Sequence, residues 1–197
     1  MRRTGNKRLY NMVMTALMMG LILAATSLFK IPVPMTQGYV HLGDAMIFLS
    51  VLLLGKKYGA AAAGLGSALG DILGGYAYFA PWTFLIKFLM AFICGLVIER
   101  AYSRKERKYR LAAERNPEEE LPKIRITGAE VLGIVLGGLV MTAGYFLVEV
   151  PMYGHWGTAL AEVPWNIAQF AVGGAVATAI AAPLSKTSAR QYFAYPL

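Results

Sequence analysis

An all-α integral membrane bundle of six transmembrane helices, with both termini cytoplasmic, is the fold class that three observations predict. Of the 197 residues, 57% are hydrophobic and only 15% are charged, against about 25% charged in an ordinary soluble domain. Mean hydropathy is +0.51, too apolar for a soluble chain of this size to bury. The apolar residues fall in six stretches. Six helices of about 20 residues use roughly 120 residues, which leaves room for one membrane domain over 1–197 and no separate soluble one. Finally, the net charge of +8 is concentrated in alternate connections, as the positive-inside rule requires of a membrane chain. A nucleic-acid binder can be as basic, but is not usually as apolar.

The stretches run near 11–29, 40–54, 59–75, 82–98, 128–149 and 164–184. Arg2, Arg3, Lys7 and Arg8 precede the first. That pattern also suits a signal peptide, but the run is long for one and its face is patterned for packing. Gly55-Lys56-Lys57-Tyr58 reads as a tight polar turn between the second and third. A cytoplasmic loop is expected over 99–126, where nine Lys and Arg mix with six Glu. It reads as a solvated, partly helical hairpin, with contact to anionic headgroups or a cytoplasmic partner as the functional alternative. Lys186 and Arg190 follow the sixth stretch. Seventeen of the 19 basic residues thus fall on one side, leaving Lys30 outside and Lys87 within the membrane.

Small residues recur every four positions, which places them on one helix face where backbones can approach closely. Gly66, Gly70 and Gly74, then Gly133 and Gly137, then Gly173, Ala177 and Ala181 suit packing inside the bundle. Ala16, Gly20 and Ala24 suit either the bundle or a partner protein.

Polar residues interrupt four of the stretches: Ser67 and Asp71; Thr83 and Lys87; Thr142, Tyr145 and Glu149; Glu162, Asn166 and Gln169. Within each set the spacing of three, four or seven puts them on one face. The alternating directions of the helices put all four sets in the outer half, with Lys87 roughly 9 Å deep at 1.5 Å per residue. Charge inside a bilayer calls for a partner or a cavity. Lys87 paired with Asp71 or Glu149, beside one outward-facing pocket, meets that need. The adjoining connections carry Tyr76, Tyr78, Phe79, Trp82, Tyr153, His155, Trp156 and Trp165. They suit an aromatic belt at the headgroups or the rim of a pocket for a flat heteroaromatic molecule. Lys87 favours a ligand that accepts hydrogen bonds or carries negative charge. The candidate substrate-binding residues are Tyr39, His41, Asp44, Asp71, Trp82, Lys87, Tyr145, Glu149, Trp156, Asn166 and Gln169.

Other chemistry finds little support. His41-x-x-Asp44 with a distant His155 is not a specific metal set. Cys94 is a lone cysteine inside an apolar run. Gly55-Lys56 lacks the rest of a phosphate-binding loop, and no nucleophile elbow or zinc-protease motif occurs.

The run Gly38-Tyr39-Val40-His41-Leu42-Gly43-Asp44-Ala45, Leu54-Gly55, Gly59, Gly64-Leu65-Gly66-Ser67-Ala68-Leu69-Gly70-Asp71, Ala80-Pro81-Trp82-Thr83 and Lys87 resembles the substrate-binding S components of energy-coupling factor (ECF) transporters. It is most similar to the riboflavin-type group. The resemblance is dense over about 10–98 and looser to 185. It implies a non-enzymatic, multi-pass protein of a prokaryotic-type plasma membrane. Such a protein captures a water-soluble vitamin or related micronutrient and binds no nucleic acid. Its implied partners are the lipid bilayer, a membrane T component and two cytoplasmic ATPase subunits, so ATP is hydrolysed by the partners and the chain itself needs no cofactor. Ala16, Gly20 and Ala24 match the family's T-component stripe, with Gly in place of the usual central Ala. The loop over 30–43, with Pro32, Pro34 and Gly38, becomes a lid that ligand binding orders. Flavin, pyrimidine and pyridine ligands all remain open. A self-sufficient secondary transporter and a membrane enzyme using Asp71, Lys87 and Glu149 are the competing readings. The first lacks an internal repeat, and the second lacks a nucleophile or cofactor motif.

Overall fold

The computed structural model describes residues 7–33, 39–115 and 127–195. Arg2 and Arg3, the lid positions Pro34 and Gly38, and the part of the cytoplasmic loop over 116–126 lie outside the described residues. Helices α1 (Lys7–Leu28), α2 (Gly43–Leu73), α3 (Ala80–Arg115), α4 (Thr127–Tyr153) and α5 (Trp156–Leu184) form the bundle. Strands β1 (Lys30–Pro32) and β2 (Tyr39–His41) join α1 to α2, and a short 3-10 turn spans Ser188–Tyr192. All five helices are long and apolar enough to cross a membrane.

The expectation of six helices is therefore corrected to five among the described residues. The stretches near 40–54 and 59–75 are joined in one element, α2, which bends back at Gly55. The single non-helical residue inside it is Gly55, at φ 76° and ψ 178°. That left-handed φ suits a residue without Cβ. The chain folds back there. The Ser50 hydroxyl lies 3.3 Å from the Gly59 carbonyl oxygen, whereas nine residues of straight helix span about 13.5 Å. Five helices crossing once each would put the termini on opposite sides; the fold-back gives α2 two arms instead, and the start of α1 and the chain at Gln191–Tyr195 lie at one end of the bundle. What the structure brings together is the start of α1, the Gly55 bend, α3 at Glu99 and Tyr102, and the chain at Gln191–Tyr195, around one cavity. Lys56 pairs with Glu99 at 3.0 Å. The Leu52 carbonyl accepts the Ala194 amide at 3.0 Å. The Tyr195 hydroxyl donates to the Gly95 carbonyl at 3.2 Å.

Helix α3 runs 17 residues beyond the apolar stretch that ends at 98, because Arg, Lys, Glu, Ala and Leu in 99–115 favour helix. Helix α5 starts at Trp156, before the expected 164. Its N-cap, His155, accepts the Gly157 amide at 3.1 Å, and this earlier start makes Glu162 helical.

Close packing follows the small residues. A Cβ on Gly66 would lie 2.9 Å from the Met19 carbonyl oxygen of α1, and one on Gly137 would lie 2.6 Å from the Met90 carbonyl oxygen of α3. The buried face of α1 is Met18, Ile22 and Thr26. Ala16, Gly20 and Ala24 point away from the bundle and are exposed. Nothing lies within 4 Å of a Cβ on Gly20. The core between α2, α3 and α4 holds Phe48, Leu52, Met90, Cys94 and Met141.

Candidate functional site

At the end of the bundle opposite the Gly55 bend, six parts of the chain enclose one pocket. Strand β2 supplies Tyr39 and His41, and the end of α2 supplies Asp71. The following loop supplies Tyr76 and Phe79, and α3 supplies Thr83. Tyr145 and Glu149 come from α4; Glu162, Asn166 and Gln169 come from α5. Spacings of four and seven put the α4 and α5 sets on single inward faces. The unfilled space among these side chains is about 40 Å³, far below the roughly 300–1,000 Å³ of a typical small-molecule site. Entry of a vitamin-sized molecule therefore requires the cover to move.

That cover is the strand pair. It is antiparallel, with Lys30 opposite His41, Ile31 opposite Val40 and Pro32 opposite Tyr39. The Tyr39 hydroxyl donates to Asp71 Oδ1 at 2.7 Å. Its ring lies 4.8 Å from that of Tyr76. Lys30 Nζ sits over both rings, 4.5 Å from the Tyr39 centroid and 5.4 Å from that of Tyr76. Burial first, and then the Asp71 carboxylate, raise the Tyr39 hydroxyl well above its ordinary range, so it remains a donor. The His41 amide donates to Gln169 Oε1 at 2.9 Å. Its Nδ1 accepts the Gly43 amide at 3.0 Å, a contact that only an unprotonated Nδ1 can make. Burial, and then the Lys87 ammonium, push the imidazole down to about 3.

Lys87 lies beneath the pocket floor and is fully buried. It is not paired with Asp71 or Glu149 as expected. Its ammonium donates to Asp44 Oδ1 at 2.5 Å and lies 2.8 Å from Met141 Sδ. Gln169 Nε2 donates to Asp44 Oδ2 at 3.0 Å. The fold-back at Gly55 explains the change of partner, because it lays the first arm of α2 against α5. A Cβ on Gly173 would meet Asp44 Cβ at 2.8 Å. Asp44 and Lys87 therefore satisfy one another, and neither lines the pocket.

Seven of the candidate residues do line it: Tyr39, His41, Asp71, Tyr145, Glu149, Asn166 and Gln169. Trp82 and Trp156 do not. They face outward, 47% and 63% exposed, as belt residues do. Tyr76, Phe79, Thr83 and Glu162 are lining residues absent from the candidate set. The signal for Glu162 was its spacing from Asn166 and Gln169. Among the described residues no group of three or more His, Cys, Asp or Glu could hold a metal ion.

The family model for the S component of ECF-type riboflavin transporters matches residues 6–186. A Pyrococcus woesei protein, an uncharacterized product of a gap 3' region, is 36% identical over 79% of this chain and 87% of its own. The thiamine precursor transporter HmpT of Lactococcus lactis subsp. cremoris (strain MG1363) is 26% identical over 95% of each chain. Among solved structures, the fold is shared with an S component for biotin from an ECF-type ABC transporter. The TM-score is 0.68 and the identity 17%, covering 98% of this chain and 100% of that one. It is also shared with the S component of a bacterial ECF transporter, at TM-score 0.63 and 17% identity, covering 91% and 98%. The chain belongs to the family of ECF-type riboflavin transporter S components, and is an integral membrane substrate-capture subunit rather than an enzyme.

Proposed function

We propose that the pocket faces outward, takes up a flat heteroaromatic vitamin or vitamin precursor, and closes over it with the β1–β2 lid. The observation that carries this reading is the lid itself: Tyr39 and His41 roof a pocket whose walls come from all four of α2, α3, α4 and α5. Lys7, Lys56 and Lys57 lie at the opposite end, which supports an outward-facing pocket by the positive-inside rule. Four aromatic rings, Tyr39, Tyr76, Phe79 and Tyr145, suit a planar ligand. The Lactococcus relative, a thiamine precursor transporter, supports a vitamin precursor as cargo. The family label alone does not transfer riboflavin to this pocket, because ligand identity lives in the lining residues.

The exposed face of Ala16, Gly20 and Ala24 is the surface on which a membrane T component docks, and two cytoplasmic ATPases on that component supply the energy. Small residues there permit close approach of a partner helix. Reconstitution into vesicles tests the whole reading. Uptake of radiolabelled thiamine precursor, riboflavin or biotin is expected only with T component, both ATPases and ATP present. Uptake by this chain alone points instead to a secondary transporter.

A further inference from the structure

A second cavity, of about 1170 Å³, lies at the end of the bundle opposite the lid. It exceeds the roughly 300–1,000 Å³ of a typical small-molecule site. The start of α1, both sides of the Gly55 bend, α3 at Glu99 and Tyr102, and the chain at Gln191–Tyr195 wall it. That last segment acts as a strap. Its Tyr192 ring stacks on Tyr10 of α1, with centroids 6.1 Å apart, and its Tyr195 ring tilts against Tyr102 of α3 at 6.5 Å. Together with the Ala194–Leu52 and Tyr195–Gly95 hydrogen bonds, these contacts fix one cavity wall to three helices.

The lining is basic. Lys7, Lys56 and Lys57 line the cavity, and Glu99 is the one carboxylate among the described lining residues. Glu99 is taken by Lys56. Lys7 and Lys57 are exposed and make no ion pair among the described residues. Two like charges are thus left around one cavity, and an anion seated with them relieves their repulsion. The Asn11 amide and the Tyr10 and Tyr192 hydroxyls of the lining are further groups able to donate.

Position favours one source for that anion. Lys7 and Tyr10 begin a helix long and apolar enough to cross a membrane, and Leu9 and Val13 beside them are apolar and exposed. A group held in the cavity therefore sits at headgroup level, with an apolar face next to it for acyl chains. Tyrosine is enriched at that level, and lysine there attracts anionic lipid. A soluble phosphate compound would use the lysines and leave the apolar face idle.

We propose that this cavity holds the headgroup of one anionic phospholipid, with its phosphate bound by Lys7 and Lys57 and its acyl chains laid along Leu9 and Val13. The site is independent of what the lid-covered pocket captures. Because the lipid touches α1, the Gly55 bend and the strap only when they are folded together, its binding stabilises the fold.

Titration of phosphatidylglycerol into the purified full chain in a neutral detergent, read by native mass spectrometry and thermal melting, tests the site. The expected result is saturation at one lipid per chain and a melting temperature raised by about 2–4 °C, with phosphatidylcholine bound more weakly. Lys57→Gln should weaken phosphatidylglycerol about fivefold, and Lys57→Gln with Lys7→Gln about thirtyfold. Arg104→Gln with Arg107→Gln removes the same charge from exposed positions of α3 outside the cavity and should leave binding unchanged. The wild-type lipid preference and the arginine variant leave the cavity intact, so a poorly folding lysine variant does not block the test. Equal losses in the lysine and arginine double variants would assign the effect to diffuse surface charge and overturn the proposal. Equal binding of phosphatidylcholine would overturn it too. So would displacement of phosphatidylglycerol by inorganic phosphate or glycerol phosphate, which would make a soluble phosphate compound the ligand.

Discussion

Gln169 accepts the His41 backbone amide at 2.9 Å while its own amide nitrogen donates to Asp44. One side chain of α5 thus ties the lid strand to the buried Asp44–Lys87 pair. The amide is suited to this position because it donates from one end and accepts at the other. Opening of the proposed lid would release this bond and the Tyr39–Asp71 bond and leave the ion pair below in place.

Gln169→Leu removes both bonds at once. The His41 amide and Asp44 Oδ2 each lose a partner, and hydrogen exchange at residues 39–43 should rise about tenfold, as for the loss of one to two hydrogen bonds. Gln169→Glu is the sharper test. It keeps an acceptor for His41 but sets a second carboxylate against Asp44 Oδ2. It should lower the melting temperature further than Gln169→Leu does. Equal melting temperatures for the two variants would mean that Gln169→Glu meets no repulsion from Asp44.

The Asp44–Lys87 pair predicts a stability effect. Lys87→Met leaves a buried carboxylate without its counterion, and breaking such a pair costs about 3–5 kcal/mol. Asp44→Asn should cost a comparable amount by stranding Lys87 beside Met141. The double variant Asp44→Asn, Lys87→Met removes both charges and leaves an amide for Gln169, so it should recover most of the loss. Denaturant unfolding in detergent micelles measures all three. Additive losses in the double variant would show that the two charges do not interact.

His41 gives the lid a pH dependence whose sign is fixed. Its imidazole titrates near 3 when the lid is closed and near the ordinary 6.5 when released. The closed form therefore binds fewer protons between those values, and acid favours the open form. The closed state is fully favoured above about 6.5 and weakens as pH falls through that window. Lys87, Asp44 and Lys30 are the charged groups acting on the ring. Exchange protection at residues 39–43 should drop between pH 7 and pH 5 in the wild type. His41→Gln should flatten that drop. A slope unchanged by the substitution would assign the effect to another group.

How far the site was legible follows from which physical signals are local. The inward faces of α4 and α5 could be read from spacing alone, since Tyr145 and Glu149, and Asn166 and Gln169, are separated by a helical turn. The partner of Lys87 could not. Asp44 is 43 residues away, and its position depends on the fold-back at Gly55, which the sequence presents as an ordinary Gly-Lys-Lys-Tyr turn. One glycine in a left-handed conformation reverses the chain without interrupting the helix for longer than a residue. Trp82 was misplaced for a simpler reason. Neighbouring helical residues point about 100° apart, so an inward Thr83 turns Trp82 toward the lipid. The membrane class was legible because composition is independent of such details.

The small-residue stripes make opposite predictions on α1 and α2. Gly66 meets the Met19 carbonyl oxygen, and a Cβ there would approach to 2.9 Å. Gly66→Ala should therefore push α1 from α2 and lower stability by about 1–3 kcal/mol, the range for overpacking. Gly20 has open space around it, so Gly20→Ala should leave stability unchanged or raise it by up to about 1 kcal/mol through helix propensity. Gly20→Leu should also fold, yet it places a large side chain on the face proposed for the T component. Thermal melting should then separate Gly66→Ala from both Gly20 variants. Co-purification with a T component and its ATPases should fail for Gly20→Leu and succeed for Gly20→Ala. If Gly20→Leu co-purifies normally, the partner docks on another face of the bundle, and the outward turn of this stripe serves only contact with lipid.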